Sequence, residues 1–134
     1  MNSFDFIPLI SIGNVFFGED RRDVRKKLGE FHEYKKSKFA KATTDDFGFC
    51  HVYYDVQNKC DAIEFVVSKS DVIWNGKNLS ILNYKDFEKL VEEHDCEINI
   101  DDSGFISKKI QMGVYAPNRE NVESILVARD GYYE

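Results

Sequence analysis

The sequence has few cysteines, few prolines and no long apolar run. Its three cysteines, Cys50, Cys60 and Cys96, form no C-x-x-C pair, so we expect reduced thiols instead of a disulfide framework or a zinc site, with a single disulfide bridge as the alternative. With two prolines and no low-complexity tract, no linker is apparent among the 134 residues, and we expect a single domain over 1–134. No stretch approaches the roughly 18 consecutive apolar residues of a membrane-spanning helix.

The sequence motifs of several large enzyme classes are also missing. The motifs G-x-S-x-G, G-x-x-x-x-G-K-[ST], G-x-G-x-x-G and H-E-x-x-H do not occur. The acidic pairs at 45–46 and 101–102 lack the alternating oxygen ligands, the glycine and the final glutamate that a calcium loop needs. We therefore expect a protein that is not an enzyme and that holds no metal or cofactor.

The three histidines are expected to have structural roles. His51 follows Cys50 on a predicted strand, where neighbouring side chains point to opposite faces, so the two cannot act together as base and nucleophile. His94 extends the apolar stripe of a predicted helix, and His32 follows a helix end, where it can donate to free carbonyls. The alternative interpretation is a small ligand-binding or hydrolytic enzyme with an Asp/His site.

The net charge of −6 is unevenly distributed along the chain. Residues 1–41 carry an excess of Lys and Arg, whereas residues 42–134 are strongly acidic. The basic residues at 21–27 are interleaved with acids, which is typical of a solvated helix face. Because an acidic surface repels phosphate backbones and attracts positive partners, we expect a basic protein partner, no direct nucleic acid and no membrane.

In the first third of the chain, local patterns predict one or two short strands, followed by a helix and a loop. The stretch LISIGNVFFG suggests strands bent around Gly13. A helix is predicted from the capping residue Asp20 to Gly29, which supplies a left-handed stop. Residues 33–46 lose periodicity and are predicted to form a loop or an irregular edge segment.

The remainder of the chain predicts hairpins and one further helix. Asn58 and the pair Asn75-Gly76 are turn residues between alternating segments, and a second helix is predicted to begin at Asn83. Short connections favour antiparallel pairing. We therefore expect an α+β fold with a mostly antiparallel, twisted sheet of about six or seven strands and two helices packed on one face.

Paired tyrosines are a second compositional feature. Tyr53-Tyr54 and Tyr132-Tyr133 should place one ring on each side of a strand. Exposed tyrosines are favoured at protein interfaces because each combines a large apolar area with a polar tip. The competing interpretation is that both faces of the sheet are covered and that all of these rings belong to the core.

Three segments together resemble a known family. ISIGNVFFGEDRRDVRKKLG, HVYYDVQNKCDAIEF and GVYAPNRENVESILVARDGYY are similar to the first strands and helix, the central hairpin and the closing strand of small bacterial immunity proteins from toxin-immunity loci, including contact-dependent growth inhibition systems. The resemblance implies a cytoplasmic, non-catalytic protein that binds a cognate toxin, often a nuclease, and blocks it. A homodimer paired through an exposed edge strand is a further alternative.

The acidic balance suggests which residues contact such a partner. A nuclease tends to be basic where it holds phosphates, and an acidic inhibitor would gain steered association with it. We expect the contacts to come from acids grouped near loops or helix ends. These partner-binding candidates are Asp45, Asp46, Glu92, Glu93, Asp101 and Asp102.

Overall fold

The computed structural model describes residues 2–134 and shows an α+β fold. Within that range, the helices are α1 (Arg21–Leu28) and α2 (Tyr84–Glu92), together with a single 3-10 turn at Leu79–Ile81. The strands are β1 (Asn2–Ile7), β2 (Ser11–Ile12), β3 (Val15–Phe16), β4 (His32–Tyr34), β5 (Thr44–Asp46), β6 (Cys50–Tyr54), β7 (Cys60–Val66), β8 (Ser70–Trp74), β9 (Lys77–Asn78), β10 (Asn99–Asp101), β11 (Gly104–Ser107), β12 (Met112–Tyr115) and β13 (Ser124–Ala128).

These strands form two sheets. The larger sheet is antiparallel throughout and has the order β10-β11-β12-β13-β7-β6-β5-β4. The smaller sheet has the order β3-β2-β1-β8-β9, and its β1 and β8 run parallel. The expected α+β class and antiparallel pairing are confirmed, whereas the strands are more numerous than expected and divide between two sheets. In residues 2–134, no helix has the length and apolar character needed to span a bilayer.

One face of the larger sheet is covered, and we call it the covered face. A continuous buried row crosses this face through six strands, and its members pair directly. The row consists of Asp45, Val52, Ile63, Val127, Met112 and Ser107. Its two ends are polar, so each end needs a hydrogen-bonding partner from the layer above.

Both helices and the smaller sheet pack on this covered face. Phe4 of β1 contacts Phe65 with ring centroids 5.0 Å apart, and Phe87 of α2 meets Phe105 edge to face at 5.9 Å. Arg21 of α1 donates to Asp45. Both helices therefore lie on the same side of the sheet, as expected.

The predicted turn residues have the backbone conformations that their turns require. Asn75 and Gly76 have φ of 51° and 79°, which suits a type I′ turn between β8 and β9. Asn58 has φ of 60° between β6 and β7, where the Asp55 side chain accepts from two following backbone N–H groups. These predictions are confirmed because such turns depend on residues within the turn itself.

Helix α2 begins as predicted, with the Asn83 side chain accepting from the backbone N–H of Asp86 at 2.9 Å. Its apolar stripe, including Phe87, is buried. His94 lies beyond the helix end, where its ring packs on Trp74 with a centroid distance of 4.6 Å. The expected structural role of His94 is therefore supported by this contact, although the residue itself is exposed.

Helix α1 differs from expectation in the placement of its charges. Asp20 occupies the N-cap position, but its side chain makes no capping hydrogen bond. Arg21, which was predicted to be on the solvated face, is buried, and Arg25 is half-buried. The expectation of an outward basic face is thus wrong for these two residues, because both guanidinium groups bind a carboxylate of the sheet.

The predicted loop at 33–46 also differs. Its two ends form β4 and β5, an antiparallel pair at the edge of the larger sheet. Few residues of these strands are apolar, so hydrophobic alternation could not indicate them. Their pairing is instead reinforced by the ion contacts of Asp45 and Glu33 with Arg21 and Arg25.

The three cysteines are all free thiols. Cys50 and Cys60 are completely buried, and burial raises the pKa of both thiols, to about 12 for Cys60. Cys96 is exposed after the end of α2.

Gly104, at the start of β11, has no space for a side chain. A Cβ atom at this position would lie 1.7 Å from the backbone oxygen of Val114, and φ is +149°. We expect Gly104→Ala to lower the free energy of unfolding by at least about 3 kcal/mol, measured by urea denaturation, because the backbone of β12 must move.

Gly48→Ala is the matched control for this substitution. Gly48 has φ of +87° with nothing within 4 Å of the added Cβ, so only the backbone cost of about 1–2 kcal/mol applies. Equal losses for the two variants would contradict the steric explanation.

Candidate functional site

The contacts of α1, α2 and β1 described above, within residues 2–134, all lie on the covered face. We call the second face of the larger sheet the open face. Its central row follows from strand register: each member pairs with the next across neighbouring strands. The row consists of Asp46, His51, Glu64, Leu126, Gly113 and Ile106. Most of these side chains are half-buried, unlike the fully buried row on the covered face.

His51 is held between two polar groups on this face. The Tyr34 hydroxyl lies 2.7 Å from His51 Nδ1, and Asp46 Oδ1 lies 3.6 Å from Nε2. Burial, followed by the nearby charges of Asp46 and Glu64, raises the pKa of Tyr34 and so keeps the phenol neutral. Residues of β4, β5 and β6 therefore form one fixed polar group.

Glu64 organises a second polar group at the centre of the face. Tyr53 donates its hydroxyl to Glu64 Oε1 at 2.6 Å, and Ser124 donates to Oε2 at 2.9 Å. Burial and the hydrogen bond to Glu64 raise the pKa of Tyr53 strongly. Because both carboxylate oxygens are engaged, the three side chains hold each other in place.

The C-terminal residues cover part of the open face, next to Leu126. The Gln111 side chain accepts from the backbone N–H of Tyr133 at 2.8 Å and donates to its carbonyl at 3.0 Å. The Tyr133 ring lies directly against Gly113, where an added Cβ would be 2.4 Å from the hydroxyl oxygen. Tyr132 packs edge to face on Tyr133.

The tyrosine pairs are placed partly as predicted. Tyr53 lies half-buried on the open face and Tyr54 is buried on the covered face, so this pair does divide between the two sides. Tyr132 and Tyr133 follow β13 instead of forming part of a strand, and both are half-buried.

The open face contains two clefts. A cleft of about 380 Å³ lies at one corner and is lined in part by Lys36, Tyr53 and Tyr132. A smaller cleft of about 150 Å³ follows Leu126 and Tyr133. His51 is outside the lining of both, and among residues 2–134 it makes no hydrogen bond to a serine, threonine or cysteine. The open face therefore offers fixed hydrogen-bonding groups to another surface.

The predicted acidic contacts do not form one surface. Asp46 is on β5 and Asp101 on β10, six strands apart in the sheet, or about 29 Å at normal strand spacing. Asp101 and Asp102 belong to a tight turn in which Asp101 accepts from Ser103. Glu92 and Glu93 are exposed at the end of α2, on the covered side.

Asp45 requires a correction, because the structure places it in the interior. Its carboxylate has 0% exposure and accepts hydrogen bonds from Arg21, Arg25 and Tyr54, at 2.8 Å from each residue's nearest donor. Burial alone would raise the pKa of Asp45, but these hydrogen bonds outweigh burial and lower the pKa to about 2. Asp45 thus secures α1 to β5 and presents nothing to a partner.

Comparison with known proteins adds no relative. No protein-family model matches the chain, and no curated protein or solved structure is significantly similar to it. A functional proposal therefore depends on the geometry of this chain.

Within the described residues 2–134, no group of three or more His, Cys, Asp or Glu side chains is arranged to hold a metal ion. The central row of the open face, with Tyr34, Tyr53 and Ser124, was not identified from the sequence as a site. Alternation on β6 and β7 could indicate that His51, Tyr53 and Glu64 share a face, but the sequence does not reveal the order of the strands.

The buried carboxylate of Asp45 predicts a specific acid sensitivity. Its pKa in the folded protein is below the value of about 3.9 for an unfolded chain, so its contribution to stability is complete above that value and is lost as the pH falls towards 2. At neutral pH we expect Asp45→Asn to lower the free energy of unfolding by about 3 kcal/mol. Between pH 4.5 and 2.5, the free energy of unfolding of the variant should fall by about 2 kcal/mol less than that of the unmodified protein, measured by urea denaturation.

Asp46→Asn provides the control, since its carboxylate is on the half-exposed open face next to Asp45. That variant should retain the steep acid loss of the unmodified protein. Parallel stability curves for Asp45→Asn and the unmodified protein would show that Asp45 is not responsible.

Proposed function

We propose that this chain is a cytoplasmic immunity protein that binds a cognate toxin domain through the open face and neutralises it by contact. One observation carries the proposal: among residues 2–134, α1, α2 and β1 contact the covered face, while the open face presents half-buried tyrosines in a fixed hydrogen-bond network. Rigid aromatic side chains with polar tips are the residues that anchor protein interfaces, because they lose little freedom on binding.

The electrostatic character of the open face agrees with a basic partner. Asp46 and Glu64 place carboxylates on it, and the net charge of −6 would speed the approach of a positive protein. A nuclease domain meets this requirement because it is basic where it contacts phosphates. The three free thiols fit a reducing compartment.

The proposal predicts where a substitution should abolish binding. Leu126 is half-buried in the central row, between Glu64 and Gly113. We expect Leu126→Arg to weaken binding to the toxin domain encoded by the adjacent gene by about 30-fold or more, measured by titration calorimetry at micromolar concentration, since interface centres tolerate little disruption.

Ile81→Arg is the matched control, because it introduces the same residue at a position 77% exposed on the 3-10 turn, away from the open face. Tyr115→Ala, which removes a 45% exposed ring from the open face, tests the site without adding charge to a half-buried position. Unchanged binding by both open-face variants would exclude this face, and no heat of binding with the unmodified protein would refute the immunity function.

A further inference from the structure

The connection between β4 and β5 has an unusual concentration of positive charge. Residues 35–41, with the sequence KKSKFAK, contain four lysines and no acid, and we call this segment the basic turn. None of its lysines takes part in an ion pair among residues 2–134. Elsewhere in the chain the acidic residues outnumber Lys and Arg, so the basic turn is a local exception.

The backbone of the basic turn presents an aromatic ring at its tip. The N–H of Ala40 donates to the carbonyl of Ser37 at 3.1 Å, which makes Lys38 and Phe39 the two central residues of a turn. Phe39 is 81% exposed, and the Lys38 ammonium lies 5.1 Å from the ring centre. An exposed apolar ring thus lies beside one ammonium group, in a segment that carries three further lysines.

The base of the turn is attached to the open face. The Lys36 ammonium lies 4.4 Å from the centre of the Tyr53 ring, a cation–π contact that is independent of the exposed tip. The other lysines are exposed, so their charges are available to an external partner.

We propose that the basic turn docks the protein on an anionic lipid surface, with Phe39 entering the headgroup region. Aromatic rings are favoured at the boundary between headgroups and acyl chains, and lysines next to a negatively charged leaflet each add about a fivefold gain in affinity. An exposed ring on a turn that also carries lysines needs no matching cavity, because a lipid surface deforms around it. This partner is additional to the toxin domain, and the inference does not depend on the proposed immunity function. It departs from the expectation of no membrane, because the local charge of the basic turn is opposite to the net charge of −6.

Nucleic acid fits these observations less well. Single-stranded nucleic acid binds in grooves that follow its backbone and stack several bases on aromatic rings, whereas Phe39 stands alone at a convex tip. A long polyanion would also extend beyond the basic turn and meet the acidic remainder of the protein. A lipid surface that touches only the tip can remain beyond the screening length of about 8 Å from most of those acids.

Vesicle sedimentation tests the inference directly. The full chain should sediment with vesicles containing about 30% phosphatidylserine in phosphatidylcholine but not with phosphatidylcholine alone, and salt should weaken the binding. The double variant Lys35→Glu, Lys38→Glu should bind about 100-fold more weakly or worse. Phe39→Ser should lose about tenfold, because the ring no longer leaves water.

The double variant Lys108→Glu, Lys109→Glu is the matched control, since it makes the same change in charge at two adjacent exposed lysines. It should bind phosphatidylserine vesicles like the unmodified protein. All of these positions are exposed, and circular dichroism verifies that each variant is folded.

Three outcomes would overturn the inference. These are no binding to phosphatidylserine vesicles at low salt, an equal loss in the Lys108 and Lys109 control, and binding to single-stranded oligothymidine or polyglutamate that is at least as tight as binding to vesicles at the same salt. The last outcome would assign the basic turn to nucleic acid or to an acidic protein instead.

Discussion

A single carboxylate with no contact to water joins α1 to the larger sheet. Burying the charge of Asp45 is costly, and the cost is offset only because Arg21, Arg25 and Tyr54 all donate to it. The two arginines belong to α1 and the carboxylate to β5, so the ion cluster fixes the helix on the covered face. It also reinforces β4 and β5, a polar pair at the sheet edge that hydrophobic burial would hold only weakly.

The one-sided architecture follows from this attachment and from the aromatic contacts of Phe4 and Phe87 on the same face. With the helices and the second sheet on the covered face, the open face is left to polar groups arranged across neighbouring strands. The two proposed binding regions occupy different parts of it: the toxin surface centres on Leu126, and the basic turn lies at the β4–β5 edge. The contact of Lys36 with Tyr53 places these two regions next to each other.

Features that depend on a few neighbouring residues were predictable from the sequence. The Asn75-Gly76 turn, the positive φ of Asn58 and the start of α2 at Asn83 each depend on local backbone requirements, and the structure agrees with them. The short strands predicted around Gly13 correspond to β2 and β3. The separate second sheet was not anticipated, because it depends on the pairing of β1 with the distant β8.

Contacts between distant residues could not be predicted in the same way. Arg21 and Asp45 are 24 residues apart, and nothing in their local sequence shows that they meet. The candidate site has the same limitation. Alternation within one strand predicts that Tyr53 and Tyr54 lie on opposite faces, but the row through His51, Glu64 and Leu126 can be predicted only when the order of the strands is known. Charge counting alone thus selected acids that lie far apart.

The unequal accessibility of the thiols gives the protein a natural attachment point for a spectroscopic probe. Cys50 and Cys60 are fully buried strand residues of the larger sheet, and their pKa values are raised. An alkylating reagent therefore cannot reach these thiols, and they are not ionised to the reactive thiolate. Cys96 alone is open to such a reagent. A fluorophore could therefore be attached at one known position without any substitution, and it would report on encounters of the intact molecule.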